Sequence, residues 1–277
     1  MSRRTRARGL AAAAGLLLVA GCGTHSGQAT WDGQTNPDAS RTPFGVDPVQ
    51  LLSQAPGATT AAGSARLATT ITVATTAAHL VVAGTGVEDF AGRTYQLTAT
   101  LTGVQTGTLE VRSTGGLHYV KPPSATASAL SRGKAWIAFD PAKAGGVPGL
   151  AELAQVAQDP TAAILLLPCV SQTVSRVGQE DVRGQPSTHY AVTLDLANTS
   201  RLGPDQQATA TALAKQLGTT TLPVDVWVDA QGRVTRYTQT VSPATSGETI
   251  ATTVDLYDYE TPATVTAPAA AETHRVA

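Results

Sequence analysis

Cys22 has the most explicit chemical context in the chain. Its thiol follows Val19-Ala20-Gly21, a run that ends in small residues and leaves the backbone open to modifying and cleaving enzymes. A thiol so placed is a nucleophile for acyl transfer, and cleavage between Gly21 and Cys22 would make it the new N-terminus. Other chemistry-bearing residues are scattered. There is no Gly-x-Ser-x-Gly, His-Glu-x-x-His or Cys-x-x-Cys pattern. Gly84-Thr85-Gly86 lacks the third glycine and following helix of a dinucleotide loop, so a turn is expected. His25, His79, His118, His189 and His274 are dispersed. His118 and His189 each precede a tyrosine and are expected as surface or edge histidines rather than ligands or bases. Asp225 and Asp229 fall on one strand face. They fit paired carboxylates, but a solvated face with a turn-capping Asp229 is the simpler reading. No catalytic residue, metal ligand set or cofactor motif emerges, and the chain is expected not to be an enzyme.

The residues before Cys22 explain its setting. Arg3, Arg4, Arg6 and Arg8 form a positive n-region, and Leu10–Ala20 an apolar run. That run is about half the roughly 20 residues of a transmembrane span, so it reads as an export signal. Val19-Ala20-Gly21-Cys22 resembles a bacterial lipobox; the competing reading is a plain signal peptide with an incidental cysteine. Residues 1–21 are expected to be the signal peptide. Ser2-Arg3-Arg4 approaches a twin-arginine signal, but Arg6 stands where that motif wants an apolar residue. If Cys22 carries fatty acyl chains such as palmitate, Cys169 has no disulfide partner. Cys169 follows Pro168 beside an apolar run with no nearby charge to activate it, so an inert buried thiol is expected.

Composition narrows the class. Of 277 residues 42% are hydrophobic and 14% charged, which fits a globular protein. Aromatics are only 4%, leaving Ala, Val, Leu and Thr to build the core. Setting the four leader arginines aside from 19 Lys+Arg leaves 15 basic against 20 acidic residues, a net charge of about −5. This disfavours nucleic acid as a partner and polybasic adhesion to anionic lipid; membrane lipid would be engaged through acylated Cys22. The expected location is the extracytoplasmic face of the cell membrane.

The elements follow from spacing. Residues 22–43 are polar and rich in Gly, Ser, Thr and Pro, a flexible tether with a reach of about 25 Å. Asp47-Pro48 caps a short helix that Pro56-Gly57 is expected to end. Period-two patterns then run through Leu67, Ile71 and Val73, through Tyr95, Leu97, Ala99 and Leu101, through Leu109 and Val111, and through Ala135–Phe139. Helices are expected over Pro148–Gln158 and Thr161–Leu167. Strands return at Val170–Val177 and Gln179–Val182, with a turn at Gly178, and at Tyr190–Leu196. Pro204–Leu217 reads as a helix with Ala208, Ala212, Leu213 and Leu217 inward and Gly218 past its end. Val224, Val226 and Val228 share a strand face that leads into a tight turn at Asp229-Ala230-Gln231-Gly232. The last strand is expected over Ile250–Glu260, and residues 269–277 are expected as a disordered tail.

Four features together resemble the LppX/LprG-type lipoproteins of actinobacteria, which share the LolA/LolB-like fold. They are the lipobox with its tether; Leu117-His118-Tyr119-Val120-Lys121 followed by Lys134-Ala135-Trp136-Ile137; Val177–Gly184 leading into His189-Tyr190; and Leu222–Asp229 with its Gly232-Arg233 turn. The resemblance covers roughly Asp47 to Pro268 within a domain set at 44–268. It implies an α+β fold, a curled antiparallel β-sheet (half-barrel) with a few helices packed on its concave side. It also implies a space between sheet and helices for acyl chains.

An apolar inner face would come from Leu97, Leu109, Tyr119, Ile137, Leu166, Val192, Leu194, Val226 and Val228, the candidate cavity residues. Alternating strands also build a filled β-core, so two readings stand. In one, a membrane-anchored lipoprotein binds the acyl part of an envelope lipid or glycolipid for transport or presentation. In the other, a filled core serves a sensor or accessory lipoprotein that binds a membrane protein partner.

Overall fold

A computed structural model describes residues 47–276 apart from 124–129, 147–149, 151–152, 155–156 and 244–246. The leader 1–21, with Gly21, and the tether 22–43, with Cys22, lie outside the described residues. The first element among the described residues is helix α1 (Pro48–Ala61), where the Asp47 carboxylate accepts a hydrogen bond from the Val49 N–H at 3.1 Å. The stop expected at Pro56-Gly57 does not occur. A buried stripe of Val49, Leu52, Ala55, Pro56 and Thr59 holds the helix against its neighbours. This packing offsets the cost of an interior proline, about 3 kcal/mol. Thr59 and Thr60 donate their hydroxyls back to the carbonyls of Ala55 and Pro56, at 2.8 and 3.0 Å.

Strands β1 (Ser64–Ala74), β2 (His79–Asp89), β3 (Thr94–Gly103), β4 (Gly107–Thr114), β5 (Leu117–Lys121) and β6 (Trp136–Phe139) form one antiparallel meander. Strands β7 (Val170–Val182), β8 (Gln185–Asp195), β9 (Thr221–Val228), β10 (Val234–Val241) and β11 (Thr249–Tyr257) form a second. Antiparallel pairing of β1 with β11 fuses them. With β12 (Thr273–Arg275) the result is an open 12-stranded sheet in the order β12-β6-β5-β4-β3-β2-β1-β11-β10-β9-β8-β7. The expected class is observed: α+β, a curled, unclosed half-barrel whose few helices lie on one side.

Several local expectations differ from the structure. Gly84-Thr85-Gly86 is not a turn but the middle of β2, paired with Ala99, Thr98 and Leu97. A Cβ at Gly86 would stand 1.9 Å from the Gln96 carbonyl oxygen, so only glycine permits this close approach. Gly178 is not a turn either; β7 runs through it, with a register shift between Arg176 and Gly178. Residues 269–277 are not a disordered tail where described. A 3-10 turn (Ala270–Glu272) leads into β12, which pairs in parallel with β6. Lys134 and Arg112 donate to the carbonyls of Ala271 and Thr266, tying this segment across the meander.

The segment between β6 and β7 crosses the concave side. Of the helix expected over Pro148–Gln158, Leu150, Leu153 and Ala154 are helical; residues 148–149, 151–152 and 155–156 lie outside the described residues. The helix expected over Thr161–Leu167 is instead a turn followed by a 3-10 turn (Ile164–Cys169) held by bonds such as Ile164 N–H to Thr161 C=O at 2.9 Å. Helix α2 (Pro204–Leu217) forms as expected, with Gly218 left-handed at φ 69° and its N–H bonded to the Ala214 carbonyl. Its inward face differs. Ala210 and Leu217 are buried and Ala208 and Ala212 exposed, because its main partner is the Ile164–Cys169 turn rather than the sheet. The same turn packs on α1 and β8.

Candidate functional site

Strand register decides what the concave wall presents. In β2–β5 the pairs Glu88–Tyr95, Tyr95–Ser113 and Ser113–His118 stand in line, and His118–Phe139 continues the line into β6. Side chains in such a row point to the same face. The next row inward is Gly86, Leu97, Val111, Val120 and Ile137, apolar throughout. The concave wall therefore carries one polar row at its end and apolar rows beyond it.

The polar row borders a cavity of about 860 Å3. Glu88, Tyr95, Ser113 and His118 form its floor. Pro56, Thr59 and Thr60 of α1, the segment 158–166, and Gln206, Thr209, Ala212, Leu213 and Gln216 of α2 form its other walls. Ile164, Leu165, Leu166, Phe90 and Leu213 make it amphiphilic. Its volume lies within the roughly 300–1,000 Å3 typical of small-molecule sites.

Burial sets the charge of this wall. Glu88 is 3% exposed, and one carboxyl oxygen, Oε2, is buried without a hydrogen-bond partner among the described residues. Burial first, then the nearby Asp159 and Asp89, push its pKa up to about 10, so it is a neutral carboxylic acid at neutral pH. Burial lowers the pKa of His118, whose Nδ1 also has no partner among the described residues. Its ring lies 6.2 Å from that of Tyr95 and 5.8 Å from that of Phe139. Burial likewise raises the Tyr95 phenol, which donates to the Ala157 carbonyl. Asp159 is raised by burial, opposed by hydrogen bonds to its Oδ1 from the Thr161 N–H and hydroxyl at 2.7 and 2.8 Å.

Of the candidate cavity residues, only Leu166 borders this cavity. Leu97, Leu109, Ile137, Val192, Leu194, Val226 and Val228 do share one concave face, but they pack into a continuous buried core. Tyr119 is on the other face. It alternates with the inward His118 and Val120, and pairs with Arg112 and Ala138. His118, expected at the surface, takes the inward place instead. Glu88 was hidden in the sequence because a turn at Gly84–Gly86 would break the parity that links it to Leu80 and Val82.

The remaining candidates have structural roles. Asp229 caps its turn, accepting from the backbone of Gln231 and Arg233 at 3.0 and 2.8 Å. Asp225 accepts from His189 Nε2 at 2.8 Å, so the two carboxylates do separate jobs. Trp227 lies beside His189 on the convex face, and Trp136 is buried with the Arg112 guanidinium 4.8 Å above its ring. Cys169 is 1% exposed and its thiol pKa is raised, first by burial, as an inert cysteine requires. Among the described residues no group of His, Cys, Asp and Glu is placed to hold a metal ion, and no helix is long and apolar enough to cross a membrane.

No family model matches the chain. An uncharacterized 31.2 kDa protein encoded in the rplA–rplJ intergenic region of Streptomyces griseus is 32% identical over 174 residues, covering 60% of this chain and 56% of that protein. The chain thus spans little more than half the length of this curated relative. Among solved structures it is similar to lipoprotein LppX of Mycobacterium tuberculosis, with 14% identity and a TM-score of 0.45 over 79% of this chain and 97% of that one. It is similar to LprF of Mycobacterium bovis, with 15% identity and a TM-score of 0.44 over 83% of this chain and 99% of that one. A putative outer membrane lipoprotein-sorting protein domain from Vibrio parahaemolyticus follows, with 8% identity and a TM-score of 0.31 over 76% of this chain and 90% of that one. These solved chains are two mycobacterial lipoproteins and a lipoprotein-sorting domain.

Proposed function

We propose that this chain is a non-enzymatic lipoprotein, held on the extracytoplasmic face of the membrane by acylated Cys22, that holds an amphiphilic envelope lipid for transport or presentation. The observation that carries this reading is the cavity of about 860 Å3 between the concave wall and the segments that cover it. Its apolar side, Ile164, Leu165, Leu166, Phe90 and Leu213, suits acyl chain. Each buried methylene contributes about 0.8 kcal/mol, so an acyl chain is held without a charged contact.

The test is native mass spectrometry of the exported Cys22→Ser chain, followed by solvent extraction. A lipid near one-to-one ratio supports the reading. Ala212→Trp places an indole in the cavity from an exposed helix position and lowers lipid occupancy. Val228→Trp overpacks the core instead, costing about 1–3 kcal/mol.

A second reading rests on a separate observation. The residues of the β8–β9 half, Val192, Leu194, Val226 and Val228, are packed into the core, and none of them borders the cavity of about 860 Å3. That suits an accessory lipoprotein that binds a membrane protein through its surface. A clean apo mass with no uptake of added lipid favours it over the first.

A further inference from the structure

We infer that the cross-strand row Glu88, Tyr95, Ser113 and His118 is a subsite for a neutral, hydroxyl-bearing head group, such as a glyceryl or sugar unit, of the ligand whose acyl chain occupies the same cavity. The inference rests on the acyl-holding reading and adds what sits at the polar end.

The row lies in register on adjacent strands and faces the cavity along its whole length. Two of its polar atoms, Glu88 Oε2 and His118 Nδ1, are buried with no partner among the described residues. Leaving a buried polar group unpaired is destabilising, so such atoms beside a cavity call for a ligand group to pair them. Glu88 is nine-tenths buried and more, at 3% exposure, on a sheet strand rather than a loop.

The chemistry of the row selects the ligand class. A protonated carboxyl offers an O–H donor and a carbonyl acceptor, a neutral imidazole one of each, and Ser113 a hydroxyl. Tyr95 spends its proton on the Ala157 carbonyl, leaving its oxygen as an acceptor. Mixed donors and acceptors without net charge match alcohol groups. An anionic head group would meet Asp159; Arg93, the one arginine or lysine bordering the cavity among the described residues, is exposed. An ammonium would need Glu88 to ionise in a site that already contains Asp159.

The experiment compares two probes with the same acyl chain, monoolein with two free hydroxyls and methyl oleate with none, on the exported Cys22→Ser chain, with oleylamine as a cationic control. Monoolein is expected to bind at least tenfold tighter than methyl oleate. Glu88→Gln keeps a neutral donor and acceptor and holds that preference within threefold. Glu88→Leu and Ser113→Ala reduce it, and Ser113→Ala carries the test if Glu88→Leu does not fold. Equal binding of the two oleoyl esters overturns the subsite and leaves acyl binding intact. Preference for oleylamine that Glu88→Gln abolishes overturns it in favour of a cationic head group. If no probe binds, the acyl-holding reading fails and takes the subsite with it.

Discussion

His189 stacks on Trp227 with ring centroids 3.9 Å apart and planes within 13°. Both ring nitrogens meet carboxylates, Nδ1 at Glu180 (2.9 Å) and Nε2 at Asp225 (2.8 Å), and the Trp227 indole donates to the other Glu180 oxygen at 2.9 Å. Burial works against a charged imidazole here, but the two carboxylates outweigh it, and the pKa lies above 6.5. A raised histidine value means stability that is complete below about 6.5 and lost as pH rises through the folded value. His189→Gln should therefore cost about 1 kcal/mol at pH 6, where both carboxylates are half exposed, and less at pH 9. Histidine NMR titration checks the cause: a His189 value at or below 6.5 would remove it.

Asp255 is 4% exposed and bridges two arginines. Arg236 Nε reaches Oδ1 at 2.6 Å and Arg183 Nε reaches Oδ2 at 2.7 Å, which ties the β7–β8 turn to β11. Burial opposes the carboxylate, and the guanidinium groups prevail, holding its pKa below 3.8. The linked stability is present above pH 3.8 and lost as pH falls through the folded value. Asp255→Ala leaves both cations unpaired and should cost about 3 kcal/mol at pH 7, somewhat less than a fully buried pair because the arginines are partly exposed. Urea unfolding at pH 7 and pH 3 measures this; an equal loss at both values would contradict it.

Glu88 carries the opposite sign. The unfolded chain ionises it near 4.5 and the folded chain near 10, so folding takes up a proton between these values. Stability then falls as pH rises across that window, by about 1.4 kcal/mol per pH unit for one proton. Glu88→Gln removes this slope and should be more stable than the parent at pH 8. Comparing the two proteins isolates Glu88 from His189 and His118, which titrate in both. Parallel stability curves between pH 5 and pH 8 would mean that Glu88 is ionised in the fold.

Two glycine-to-alanine changes should have opposite effects. Gly86→Ala puts a Cβ against the Gln96 carbonyl and must spread β2 from β3, with a fall in Tm of many degrees or failure to fold. Gly57 sits inside α1 with nothing within 4 Å of its added Cβ. Gly57→Ala should stabilise by about 0.5–1 kcal/mol through helix propensity. Thermal unfolding of both variants settles the pair; a neutral Gly86→Ala would contradict the close strand approach.

The fold was legible because its signals are local. Tyr95, Leu97, Ala99 and Leu101 alternate, and so do Val224, Val226 and Val228; each set is buried on one face. The Gly218 cap and the Asp229–Gly232 turn depend on a few neighbouring residues and were readable for the same reason. The site was less legible. Glu88 and His118 belong to the inner face only if parity is carried unbroken through Gly84–Gly86 and across the turn at Gly115-Gly116. Pro56 and Gly178 signalled breaks that buried packing and strand pairing overrode.

The sequence by itself determined the lipobox-like run to Cys22, the polar composition of residues 22–43, the two sets of alternating strands and the lack of a Gly-x-Ser-x-Gly, His-Glu-x-x-His or Cys-x-x-Cys pattern. Each is written in composition or in short-range spacing. Tertiary structure alone decided that β1 pairs with β11, which curls the two meanders into one sheet. It also decided that Glu88, Tyr95, Ser113 and His118 line up beneath the segment 158–166, while Val192, Leu194, Val226 and Val228 fill the core. Pairing register and the path of a covering segment are set by contacts between residues far apart in the chain. Alternation fixes which residues share a face, but not what stands opposite that face.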